Sequence, residues 1–109
     1  MKEIEFHGRT LDDIRDFPAA AKREAGHQLD RVQHGYDPSE WKPMASIGTG
    51  VREIRIQEQG QYRVVYFTKL KDAIHVLHAF QKKTQKTRKQ DIDAAKHALK
   101  QILTRYENE

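Results

Sequence analysis

Arg55 and Arg63, followed by Lys82 and Lys83, are the residues of this chain whose types and spacing suit chemistry. Arg55 sits in the strand-like segment Val51–Gln57 and Arg63 in the aromatic and β-branched segment Tyr62–Thr68, with Gly60 in the turn between them. Strands joined in this way lie side by side. If the two guanidinium groups share a face, they bracket a phosphate, because their planar N–H forks match phosphate oxygens. Lys82 and Lys83 come just past a third strand, and Arg52 and Glu53 are next to Arg55 in sequence. A sheet lined in this way suits an RNA backbone.

Other chemistries are poorly supplied. Gly48-Thr49-Gly50 lacks the continuation and the Lys-Ser/Thr pair of a phosphate loop. The chain has no cysteine, which removes disulfides, thiolate metal sites and cysteine nucleophiles together. His75 and His78 are three apart on a predicted strand, so alternation points them to opposite faces. His7, His27, His34 and His97 show no ligand spacing. We therefore expect no metal and no cofactor. The longest run of large apolar side chains is Val64-Val65-Tyr66-Phe67, far short of the roughly 20 that cross a membrane. No signal-like stretch opens the chain, and the expected location is the cytoplasm.

The elements that must position these cations are readable in outline. A chain of 109 residues predicts one domain, 1–109. Ile4 and Phe6 alternate with Glu3, Glu5 and His7 as a short opening strand. Thr10 is the expected N-cap of a first helix, with Asp12 and Asp13 in its first turn, and Pro18 ends it near Phe17. Ala21, Ala25, Leu29 and Val32 form the apolar stripe of a second helix that stops at His34-Gly35. Residues 35–50, punctuated by Gly35, Pro38, Pro43, Gly48 and Gly50, read as a connection pinned to the core by Trp41 and Met44. Val51–Gln57 turns Ile54 and Ile56 inward and Glu53, Arg55 and Gln57 outward. Tyr62–Thr68 follows, then a turn at Lys69–Asp72 and a strand over Ala73–Phe80. A last helix from about Asp91 carries Ile92, Ala95, Leu99, Ile102, Leu103 and Tyr106 at helical spacing, which reads Tyr106 as core. The order β-α-α-β-β-β-α predicts an α+β fold, with a small antiparallel sheet, a helical hairpin and a C-terminal helix, the helices grouped together.

Charge is uneven along this order. The formal net charge is +4. Residues Gln81–Gln90 hold Lys82, Lys83, Lys86, Arg88 and Lys89 and no acid, so the remaining 99 residues sum to −1. The basic character is local, and it adjoins the strands that carry Arg55 and Arg63.

Several of these segments together are similar to a known family. Trp41-Lys-Pro-Met, Val51-Arg-Glu-Ile-Arg-Ile56, Tyr62-Arg-Val-Val-Tyr66 and Leu77-His-Ala-Phe-Gln-Lys-Lys-Thr-Gln-Lys-Thr87 resemble the RelE/ParE superfamily of type II toxin–antitoxin toxins, and more narrowly its phage-derived HigB-like branch. The resemblance spans nearly the whole chain. It implies a ribosome-dependent mRNA endonuclease, held inactive by a cognate helix-turn-helix antitoxin (HigA-like). The implied reaction is metal-free: the ribose 2′-OH attacks the adjacent phosphate and expels the 5′-oxygen.

By the same resemblance, Arg63 matches the superfamily's Tyr-Arg arginine and becomes a transition-state phosphate ligand, with Arg55 second in phosphate binding. Lys82 falls where relatives place a basic residue for phosphate binding or proton donation. Lys83 and Lys86 fit contacts to ribosomal or messenger RNA, and Arg52, Arg88 and Lys89 extend that surface. Glu53 stands where some relatives carry lysine, which leaves it as a base or as a partner of Arg55. His78 is available for acid/base work or for structure. Several relatives end in an acid/base Tyr or His, whereas this chain continues into a helix, so the general base is open. Two alternatives share the fold: a gyrase-inhibiting toxin of the ParE type, and a non-catalytic RNA- or ribosome-binding module.

Overall fold

A computed structural model of the chain describes residues 1–68 and 73–108. Its elements are β1 (Glu3–Phe6), α1 (Thr10–Arg15), α2 (Ala19–Gln33), β2 (Trp41–Pro43), β3 (Val51–Gln57), β4 (Gln61–Phe67), β5 (Ala73–Lys82) and α3 (Lys89–Glu107). The strands form one sheet in the order β1-β5-β4-β3-β2. The α+β class and the β3-β4-β5 meander are as expected. The predicted turn at Lys69–Asp72 lies outside the described residues.

The structure adds to the expected order and corrects it in places. The connection over 35–50 contains a strand, β2, paired antiparallel with β3. Pro43 closes it and has no amide to donate, which suits a sheet edge. Met44 is buried as expected, whereas Trp41 lies in β2 with the Arg52 guanidinium 3.9 Å from its ring centre. The sheet is not wholly antiparallel, because β1 pairs in parallel with β5. Arg9, not Thr10, holds the N-cap position of α1 and makes no side-chain cap bond. Thr10 is buried inside the first turn.

Alternation along the strands builds two cores. On one face, Ala21, Ala25, Leu29 and Val32 of α2, with Ile14 and Phe17, meet Ile54, Ile56, Tyr62, Val64, Tyr66, Ile74 and Val76. Ala21 and Ala25 are wholly buried, as close approach of helix and sheet requires. On the other face Ala95, Ala98, Leu99 and Ile102 of α3, with Met44 and Ile47, cover Val51, Val65, Phe67, Leu77 and Phe80. The helices are therefore not grouped together, because a sheet apolar on both faces needs cover on both. Tyr106 is not core: it and Leu103 are each 38% exposed.

One irregularity matters for the site. The β4–β5 register shifts between Val65 and Tyr66, so His78 pairs with Val65 and His75 with Phe67. Val65 and Phe67 share a face, and the extra residue therefore brings His75 and His78 to that same face, contrary to strict alternation.

Candidate active site

Where α3 leaves its face of the sheet uncovered, three cross-strand rows of polar residues lie side by side. Lys42, Glu53, Val65 and His78 form the first row. Arg55, Arg63 and Phe80 form the second, and Gln57, Gln61 and Lys82 the third. Directly opposed side chains on adjacent strands stand about 5 Å apart at Cβ, and like charges there repel. Arg55 and Arg63 are such a pair.

Glu53 offsets that repulsion. One of its oxygens, Oε1, is 3.5 Å from Nε of Arg63 and 3.7 Å from Nε of Arg55. The carboxylate is fully buried, the Arg63 side chain is 7% exposed and that of Arg55 is 38% exposed. These contacts are ion pairs longer than good hydrogen bonds, and Nε of both arginines has no hydrogen-bond partner among the described residues. Arg63 Nη1 donates to the Tyr62 carbonyl at 3.0 Å and to Gln61 Oε1 at 3.3 Å. Arg63 is thus tethered and nearly covered, while Arg55 is the more exposed of the two. Burial, then the nearby Arg55 charge, lowers the Arg63 pKa against the pull of Glu53.

Lys82 ends β5 on the same face, so it belongs to the strand and not to the loop after it. Burial and the Arg63 charge hold its pKa below the usual lysine value, and Lys42 and Arg55 push the same way. The register thus gathers Lys42, Arg55, Arg63 and Lys82 on the face of the sheet that carries Glu53. Lys42 is the member that sequence reasoning missed, because residues 41–43 read as connection; the Trp-Lys-Pro edge strand was its only signal.

His78 occupies the neighbouring row. Its Nε2 lies 2.8 Å from Asp91 Oδ1, and the other oxygen of Asp91 is 3.4 Å from Arg88 Nε. Its ring stacks on Phe80 at 5.2 Å between centroids. Asp91, the third residue of α3, is buried and fixes the imidazole's orientation; only its place near the helix start was visible beforehand.

The outer cations divide. Lys83 and Lys86 are exposed in the loop after β5. Arg88 is engaged by Asp91, and Lys89 by Asp93 at 2.7 Å. Arg52 pairs with Tyr66 in register and so projects to the opposite face, where Asp37 binds it at 2.8 Å. The structure therefore brings Glu53, Arg55, Arg63, Lys82 and His78 to one face and leaves Arg52 outside.

The family described as phage derived protein Gp49-like (DUF891) matches residues 12–100. The chain belongs to this phage-derived Gp49-like family. Among solved structures, the isolated E. coli RelE toxin superposes with a TM-score of 0.64 at 17% identity, over 94% of this chain and 99% of that one. The intact E. coli RelBE toxin–antitoxin complex contains a chain that superposes with a TM-score of 0.56 at 16% identity, over 77% of this chain and 100% of that one. No curated protein matches. The fold of this Gp49-like chain is that of RelE, as the strand and basic-tail motifs implied. No helix among the described residues is long and apolar enough to cross a membrane.

Proposed function

We propose that this Gp49-like protein is the toxin of a type II toxin–antitoxin pair and cleaves messenger RNA on the ribosome, within the HigB-like branch. The observation that carries the reading is the opposed Arg55–Arg63 pair over buried Glu53, with Lys82 and Lys42 adding to a net positive face. A scissile phosphate gains negative charge as the 2′-oxygen bonds to phosphorus and the bond to the 5′-oxygen breaks. Fixed guanidinium donors at that point stabilise the transition state more than the ground state. Arg55 binds the phosphate from the exposed side, and Arg63 supplies fixed charge. Glu53 is fully buried, so it serves the arginines as counter-charge and does not reach a 2′-hydroxyl.

Proton transfer falls to two groups. His78, oriented through Nε2 by Asp91, has Nδ1 to accept the 2′ proton. Lys82, whose ammonium loses its proton more readily than an ordinary lysine, donates to the departing 5′-oxygen and leaves a 2′,3′-cyclic phosphate. Exposed Lys83 and Lys86 contact ribosomal or messenger RNA. The partner antitoxin is a helix-turn-helix protein of the HigA type, and the site of action is the cytoplasm.

Induction of the chain in cells, with and without the antitoxin encoded beside it, followed by mapping of mRNA 5′ ends, tests the reading. Cleavage within translated messages that disappears in Arg55→Ala and in Lys82→Ala is the expected result. Growth arrest with intact messages and a DNA-damage response indicates a gyrase poison instead. Unimpaired growth with retained ribosome binding indicates a non-catalytic module.

A further inference from the structure

The same face of the sheet carries a second polar cluster five residues further along β5, roughly 17 Å from the Arg63 row at the rise of a strand. Glu5 lies on β1 and His7 immediately follows that strand, two residues on, and the parallel register sets Glu5 beside His75. Three donor atoms converge there. His75 Nδ1 is 3.0 Å from His7 Nε2 and 3.1 Å from Glu5 Oε2, and the latter two are 3.8 Å apart. The circle through these atoms has a radius of about 1.9–2.0 Å. A single point just off their plane therefore lies at the roughly 2.0–2.1 Å that zinc takes to imidazole nitrogen and carboxylate oxygen.

Hydrogen bonding alone leaves this cluster unbalanced. His75 is fully buried, and its Nε2 has no partner among the described residues. A proton on Nδ1 serves Glu5 but leaves Nε2 a buried acceptor without a donor. A proton on Nε2 leaves a buried donor unmatched, and Nδ1 then accepts from His7 Nε2–H at 3.0 Å with the Glu5 carboxylate only 3.1 Å away. A cation at the convergence point takes both imidazole lone pairs and the Glu5 charge together, with the His75 proton on Nε2.

We propose that Glu5, His7 and His75 form a binding site for a divalent transition ion of the zinc class, with one coordination position left open. Two imidazoles and a carboxylate are a donor set for such ions. Glu5 is half-exposed, and His7 also lines an open cavity of about 590 Å³ with His97, Lys100 and Arg105, which gives the ion a route from solvent. Its effect is to fasten the short edge strand β1 to β5. The Arg105 guanidinium, 3.3 Å from Glu5 Oε2, is the cation it competes with.

Calorimetric titration of the purified chain with zinc chloride, alongside thermal melting, tests the site. The expected result is one tightly bound ion per chain and a raised melting temperature that a chelator reverses. Glu5→Gln and His7→Gln alter side chains outside the buried core and are expected to weaken binding at least about 10-fold while melting as the metal-free native chain does. Arg105→Gln is expected to tighten it. No saturable zinc binding by the native chain, or equal binding by the Glu5→Gln and His7→Gln chains, overturns the proposal.

Discussion

Glu53 is completely buried, with two guanidinium groups 3.5 and 3.7 Å from one of its oxygens. Removing one member of a buried ion pair strands the other, at a cost of about 3–5 kcal/mol. Glu53→Gln is therefore expected to destabilise the fold by about that amount in urea unfolding. The double change with Arg63→Gln is expected to recover about 1–3 kcal/mol relative to additivity; strict additivity would dissolve the pair. Lys82 carries a different signature. Burial and neighbouring Arg63 lower its pKa, and an acid must be protonated to act. Cleavage is thus expected to fall as pH rises through a value below the ordinary 10.5 of lysine, and Lys82→Arg to move that limb upward. A limb unchanged in Lys82→Arg assigns the proton to another group. The facing of Arg55 toward Arg63 was half legible in the sequence: the short turn at Gly60 sets the two strands side by side, but Tyr62–Phe67 does not alternate and so leaves open which face Arg63 takes. The role of Glu53 was not, because burial depends on which strand covers β3.

At the scale of elements, the close approach of α3 to the 44–50 segment depends on the absence of a side chain at Gly48. A Cβ there would stand 2.5 Å from Leu99 Cδ2. Gly48→Ala is expected to cost about 1–3 kcal/mol through overpacking, and Leu99→Ala in the same chain to relieve part of it, as thermal melting would read. The main helices were legible from periodicity and β4 from its aromatic and β-branched residues, whereas the phase of β5 was not, because the register shift against β4 breaks its alternation. Three residues of β2 are too few to fix a phase, and Trp41-Lys42-Pro43 takes strand form only because β3 presents a free edge. Tyr106 shows the opposite failure: its spacing matches the apolar stripe, but it meets the sheet over its polar end, with its ring edge-on to His75 at 6.0 Å, and stays 38% exposed. The Glu5–His7–His75 cluster had no signal in sequence spacing, since a parallel pairing joins positions some seventy residues apart.

For the molecule as a whole, the +4 charge is carried by residues 81–90, the end of β5 and the loop after it. Affinity for RNA or ribosomes is expected to fall steeply with ionic strength, with a log–log slope reporting several phosphate contacts. Replacing Lys83 and Lys86 by glutamine is expected to flatten that slope by roughly two contacts; a flat response in the native chain would remove RNA as the partner. Both ends of the sheet face that carries Arg63 depend on the register shift within β5. In a strictly alternating strand, His78, Phe80 and Lys82 would turn toward the α1–α2 hairpin while His75 stayed with Glu5. The extra residue acts as a phase correction of one step between two polar clusters. Loss of one residue at the shift leaves both facing as they do, whereas a single insertion between His78 and Phe80 rotates Lys82 away from Arg63 and uncouples one end of the face from the other.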